Sequence, residues 1–112
     1  MNDKPIYVTF VTKKLEDSFE ELKEGKYESK KIYEYIEKAI TTLRQNPEAG
    51  TKIAKRLWPL IYVKEYSIVN LWKYNLPEGW RLVYTIKEED IKILSIILEW
   101  FNHKDYERRF GY

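Results

Sequence analysis

The spacing of apolar residues along this chain shifts between a strand period and a helix period, and the shifts mark the elements. Pro5 to Val11 (PIYVTFV) alternates β-branched and aromatic side chains and predicts a first strand. Thr12 then offers a helix cap. Leu15, Phe19 and Leu22 follow at i, i+4, i+7 and form one apolar stripe, with Gly25 as a helix stop. A second helix is predicted from about Ser29 to Arg44. Its stripe is Ile32, Ile36, Ala39 and Leu43, and Glu34 and Lys38 form an exposed i,i+4 pair. Asn46-Pro47 ends it. Neither stripe is wide enough to stand alone, so both helices should pack on a sheet.

Thr51 to Ser67 is ambiguous. Trp58-Pro59 marks a turn or irregular stretch, and Leu60 to Tyr66 fits a short helix or an extended segment equally well. From Val69 the strand period returns. Val69 to Tyr74 is a strand, Asn75 to Gly79 a hairpin loop, Trp80 to Ile86 a strand, Lys87 to Asp90 a tight turn and Ile91 to Trp100 a last strand. That strand is apolar on both faces over Ile93 to Leu98, Ser95 excepted, which suits a central position covered on two sides. The tail after it is polar and fits a helix. The expected fold class is α+β in the order β-α-α-β-β-β. A small antiparallel-rich sheet carries an N-terminal helical hairpin on one face. No internal repeat or linker divides the sequence, so residues 1–112 are expected to form one domain.

Composition narrows the chemistry by exclusion. The chain has no cysteine and one histidine, which argues against disulfides, zinc-thiolate sites and cysteine nucleophiles. Its four glycines are scattered and build no phosphate loop. No metal and no cofactor are expected. No apolar run approaches the roughly 18 residues that span a membrane, and the N-terminus lacks the pattern of a secretory signal, so a cytoplasmic protein is the default expectation. The net charge of +2, from 20 basic and 18 acidic residues, is modest for a nucleic-acid binder. Local patches therefore matter more than the total. Lys52, Lys55 and Arg56 form one, and Arg108 and Arg109 form another.

What remains is a set of basic side chains, one imidazole and tyrosines. Such a set can hold a phosphate and cleave RNA without a metal, because the ribose 2′-OH is itself the nucleophile. Arg81 opens a strand and can hold a phosphate through a two-pronged hydrogen bond; an arginine there also pairs ordinarily with a carboxylate. His103 has the one side chain that titrates near neutrality, yet a histidine in a polar tail is often plain surface. Tyr106 shares a face with His103 if the tail is helical, or packs the tail on the sheet. Lys73 lies between Trp72 and Tyr74, an interleaving that suits bases stacking on rings, although aromatic residues are abundant throughout.

These residues resemble a known family. Gly79-Trp80-Arg81-Leu82-Val83-Tyr84-Thr85-Ile86 is similar to the GYRLVY-type strand of the RelE/ParE toxin superfamily of type II toxin–antitoxin systems. Leu71-Trp72-Lys73-Tyr74 resembles its short basic strand, and Glu99 to Tyr106 its last strand and C-terminal segment. The tryptophan-rich strands and the HKDYERRF ending resemble an archaeal RelE-like branch. The resemblance covers nearly the whole chain. It implies a toxin that cuts mRNA on translating ribosomes, leaving a 2′,3′-cyclic phosphate and a free 5′-OH. Arg81 would bind the scissile phosphate or stabilise its transition state. His103 would transfer the proton with Tyr106 as partner or base. Lys73, Lys104 and the Lys52, Lys55, Arg56 patch would hold RNA. The implied partners are a cognate antitoxin on a separate chain (covering the sheet and basic face, with a heterotetramer as one assembly), the ribosome and mRNA. Two alternatives stay open: a ParE-like toxin that binds gyrase and cuts nothing, and a non-catalytic interaction module on the same scaffold.

Overall fold

The computed structural model describes residues 4–111; residues 1–3 and 112 of the expected 1–112 span lie outside the described residues. The first strand, β1, is Ile6–Phe10. Thr12 caps the helix α1 (Lys13–Leu22) by accepting a hydrogen bond from the Leu15 amide at 3.1 Å. Helix α2 runs Tyr27–Gln45 and stops where Pro47 cannot continue it. Gly25 lies in the turn that follows the end of α1, its amide donating to the Leu22 carbonyl at 3.2 Å. A Cβ there would sit 2.7 Å from the Ser29 Cβ in the first turn of α2, so the tight connection between the helices requires glycine.

The ambiguous middle segment resolves into three pieces. They are a two-residue strand β2 (Thr51–Lys52), a 3₁₀ turn at Lys55–Leu57 and a helix α3 (Leu60–Tyr66) that starts directly after Pro59. The remaining strands are β3 (Trp72–Asn75), β4 (Arg81–Glu88) and β5 (Ile93–Phe101), followed by a last helix α4 (His103–Phe110). The sheet order is β1-β5-β4-β3-β2. β1 runs parallel to β5, and the other neighbours are antiparallel. The α+β class and the β-α-α-β-β-β order are thus observed, with β2 and α3 inserted.

Two strand ends differ from expectation for identifiable reasons. β3 begins at Trp72 and not at Val69, because the Asn70 side chain replaces a strand partner. Its Oδ1 accepts from the Ile86 amide and its Nδ2 donates to the Ile86 carbonyl, both at 2.8 Å. The turn before β5 shifts to Glu89–Lys92, closed by the Glu89 amide donating to the Lys92 carbonyl, and Ile91 projects into solvent.

The sheet is covered on both faces. Against one face lie α1 and α2, burying Phe19, Ile36, Ala39 and Leu43 on Leu82, Tyr84 and Ile97. Against the other lie α3 and α4, burying Tyr62, Tyr106 and Phe110 on Leu71, Val83, Leu98 and Phe101. Strand alternation provides this double covering, and a β-bulge shifts its phase in β5. Val83 pairs with Glu99 but Tyr84 pairs with Ile97, so Leu98 is an extra residue in β5. Strand alternation flips there. Ile97 faces the α1–α2 side, while Leu98 and Phe101 face α3 and α4.

Tyr84 ties the α2 end to the sheet. Its hydroxyl donates to the Pro47 carbonyl at 2.7 Å and accepts from the Gly50 amide at 3.1 Å. A Cβ on Gly50 would collide with the Lys73 carbonyl oxygen, so this join demands glycine. Burial pushes the Tyr84 phenol up to about 12, partly offset by the Gly50 amide. Folded Tyr84 therefore keeps a proton that an unfolded tyrosine loses near 10, so its contribution is full below about pH 10 and falls away by about pH 12. Tyr84→Phe is expected to cost about 1–3 kcal/mol in urea unfolding at neutral pH, because it leaves the Gly50 amide and Pro47 carbonyl without their partner. The same variant should lose less further stability than the parent between pH 10 and 12; an identical alkaline slope in both proteins would contradict this account.

Candidate functional site

The antiparallel meander of β3, β4 and β5 brings one end of each strand together. Asn75 pairs with Arg81, and Arg81 pairs with Phe101. Two residues beyond Phe101, α4 begins at His103, with Asn102 as its cap accepting from the Asp105 amide at 2.8 Å. The start of β4 and the start of α4 are therefore neighbours by pairing alone.

Lys73 and Val83 are opposite one another in the β3–β4 ladder and share a face, and strand alternation puts Arg81 on that face with Val83. The ring of Tyr106 lies over this face. Lys73 Nζ is 5.8 Å and Arg81 Cζ 5.7 Å from its centroid. Two cations thus flank one aromatic ring, which holds each through its negative face. Tyr106 is itself 4 % exposed. It stacks on Phe110 at 4.5 Å and meets Phe101 edge-on at 6.2 Å, so its ring is fixed by packing.

Neither cation has an acidic partner among the described residues. Arg81 Nη1 donates to the Trp80 carbonyl at 3.2 Å, while its Nε is buried without a hydrogen-bond partner. The carboxylate pairing that an arginine at a strand end ordinarily makes is not formed here. The guanidinium keeps unused donors beside a second positive charge, an arrangement that favours an anion.

The other residues named from the sequence spread around this centre. His103 is exposed and its Nε2 lies 3.3 Å from Glu107 Oε1 one turn along α4. Its position near Arg81 follows from the β3–β4 loop: a Cβ on Gly79 would lie 3.4 Å from the His103 Cβ. Lys104 is exposed on the first turn of α4. Lys52 pairs with Trp72, one residue along from Lys73, so it faces the opposite side of the sheet. Lys55 and Arg56 are exposed in the turn that follows β2. Trp72 and Tyr74 also face away from Lys73, toward α1 and α2, with Trp72 stacked on Tyr84 at 6.2 Å. Of the C-terminal arginines, Arg108 pairs with Asp105 and Arg109 with Glu99.

One participant escaped the sequence reading. Glu78, in the loop before Arg81, has a left-handed backbone (φ 58°) that a side chain rarely adopts. Its carboxylate accepts from the Tyr35 hydroxyl of α2 at 2.9 Å and lies 3.9 Å from Lys31. Gly79 follows at φ 81°. The Pro-Glu-Gly run signals a turn, but only the fold reveals that α2 grips it.

A buried guanidinium nitrogen left unbonded beside a second cation costs stability. Arg81→Met is therefore expected to unfold in urea at a stability equal to or about 1 kcal/mol above the parent. A loss of more than about 1 kcal/mol would mean that Arg81 holds the fold together and is not kept for a ligand.

A protein-family model described as the ParE toxin of type II toxin-antitoxin system, parDE, matches residues 10–98. Comparison with curated proteins and with solved structures finds no match.

Proposed function

Because this chain belongs to the ParE toxin family, within the RelE/ParE superfamily, and is the toxin of a type II toxin–antitoxin pair, we propose that it acts as an mRNA endoribonuclease on translating ribosomes. The observation that carries this reading is the pair of cations, Lys73 and Arg81, held on the Tyr106 ring without a carboxylate partner among the described residues. A gyrase-binding surface has no need for a guanidinium without an acidic partner among the described residues, at the end of the sheet where His103 opens α4.

In the proposed reaction the ribose 2′-oxygen attacks the adjacent phosphorus and gives up its proton. The bond from phosphorus to the 5′-oxygen breaks, and that oxygen takes a proton. The products are a 2′,3′-cyclic phosphate and a free 5′-OH, so no metal-bound water is needed. Arg81 supplies N–H donors to the phosphate oxygens, whose negative charge grows in the transition state. Lys73 adds a point charge from the neighbouring strand. His103 transfers the proton, and Tyr106 serves through its ring, fixing both cations. Lys104 extends the positive surface along α4. Lys52, Lys55 and Arg56 hold RNA at the β2 edge, outside the reacting centre.

One observation favours a second reading. The matching family model is the ParE one, which supports a toxin that binds gyrase without cutting RNA.

The test is inducible expression followed by primer extension on a translated reporter mRNA. Arg81→Ala is expected to lower cleavage by about 100–1,000-fold and His103→Gln by about 100-fold or more, the sizes typical of losing an oxyanion donor and a proton-transfer group. Growth arrest with intact mRNA and inhibited supercoiling in both parent and variants would replace the nuclease reading with the gyrase one.

A further inference from the structure

The helix α3 is seven residues long and leaves three large apolar side chains in solvent: Leu60 at 63 %, Ile61 at 45 % and Val63 at 40 % exposed. Single exposed apolar residues need no explanation, but three on two helical turns mark an interaction surface. Helix propensity does not account for them, since Val63 and Ile61 are β-branched. The core has no use for them either, because Tyr62 and Tyr66 already form the inward face of α3.

Beside this helix lies a groove of 220 Å³ between α3 and the start of α1. Its floor is apolar, with Leu15 from α1, Ile61 and Tyr66 from α3, and Leu98 from β5. Strand alternation past Ile97 turns Leu98 into the groove, and the bulge there keeps Glu99 on the same face. Glu99, the acidic residue on its wall, is already neutralised. It accepts from the Tyr62 hydroxyl at 2.6 Å and is bridged by Arg109 at 3.1 Å. On the opposite rim, Lys14 makes no ion pair among the described residues; Lys64, outside the lining but one turn from Leu60 and Ile61 on the same side of α3, makes none among them either. The groove is apolar at its base and positively charged at its edge. None of Lys73, Arg81, His103 and Tyr106 lines it.

We propose that the groove between α1 and α3 is a docking site for the antitoxin, and that it takes an amphipathic segment with apolar residues inward and acidic residues flanking them. Charge complementarity selects this occupant. A second copy of the chain would bring the same Lys14 and Lys64 against their counterparts across a two-fold interface. A polyanion such as RNA would gain nothing from Leu60, Ile61 and Val63. Helix-in-groove recognition of this kind draws affinity from the apolar anchors, while the lysines set orientation and association rate. The inference rests on the family's antitoxin partnership and not on the nuclease reading. It places recognition of the antitoxin apart from the Arg81 centre, so one segment of the partner can hold the toxin while another covers the cations.

The probe is the antitoxin encoded beside this chain, co-expressed with it and co-purified. Ile61→Glu and, separately, Lys14→Glu are expected to weaken the complex at least 10-fold. Binding to the parent should weaken as salt rises. Circular dichroism melting checks that each variant is folded. Hydrogen exchange on the unmodified complex needs no variant, and protection of the α1 and α3 amides is the expected result. Undiminished binding by folded Ile61→Glu, or protection confined to the β3–β4 loop and α4, would overturn the proposal. So would a dimer of the chain alone that Ile61→Glu dissociates. Because no arm reads RNA cleavage, a chain that cuts nothing leaves this result intact.

Discussion

The antiparallel pairing of β4 with β5 is the constraint on which the rest of the molecule depends. It sets Arg81 opposite Phe101. Since α4 begins two residues after Phe101, the pairing also decides what α4 can reach. The bulge at Leu98 lies within the same pairing and flips the alternation of β5. Without it, Ile97 and Phe101 would share a face. With it, Ile97 packs on the helical hairpin while Leu98, Glu99 and Phe101 turn toward α3 and α4. One extra residue therefore places Glu99 and Phe101 with Leu98 on the α3–α4 side.

The candidate site inherits its geometry from this arrangement. Tyr106 joins the two levels: it is buried in the second core and is also the surface on which Lys73 and Arg81 rest. Fixing the ring fixes the cations, and among the described residues no carboxylate consumes their charge. An acidic partner would stabilise the pair in isolation and would also compete with an anionic ligand. Leaving Arg81 Nε buried and unbonded costs stability, and groups held in this way tend to gather at functional centres. The left-handed Glu78, gripped from α2 by Tyr35, is a second local cost at the same end of the sheet.

The family assignment and the geometry support one another without overlapping fully. The match spans residues 10–98 and so includes Lys73 and Arg81 but stops before α4. His103, Tyr106 and the α4 face of the site rest on the structure alone. The groove at α3 depends on a segment, Leu60–Tyr66, that the fold inserts between the hairpin and the meander. The proposed cleavage centre and the proposed docking groove thus lie on different parts of one sheet face.

Much of the fold could be read directly because its periods are clean. The α2 stripe at Ile36, Ala39 and Leu43 and the doubly apolar β5 each admit one burial pattern, and the hydrophobic effect enforces it. Thr12, Pro47 and the Pro77-Glu78-Gly79 turn act through local backbone chemistry, which needs no distant partner. The α3 segment was ambiguous because seven residues with β-branched members fit helix and strand alike, and only contact of Tyr62 with Glu99 and Phe110 decides between them. For the site, residue types named Lys73, Arg81, His103 and Tyr106, but could not show that the first two meet on the Tyr106 ring or that Trp72 and Tyr74 turn away from them. Those facts depend on strand register and on one bulge. Register is a long-range property, settled by which faces can be buried together, and the tertiary structure alone decides it.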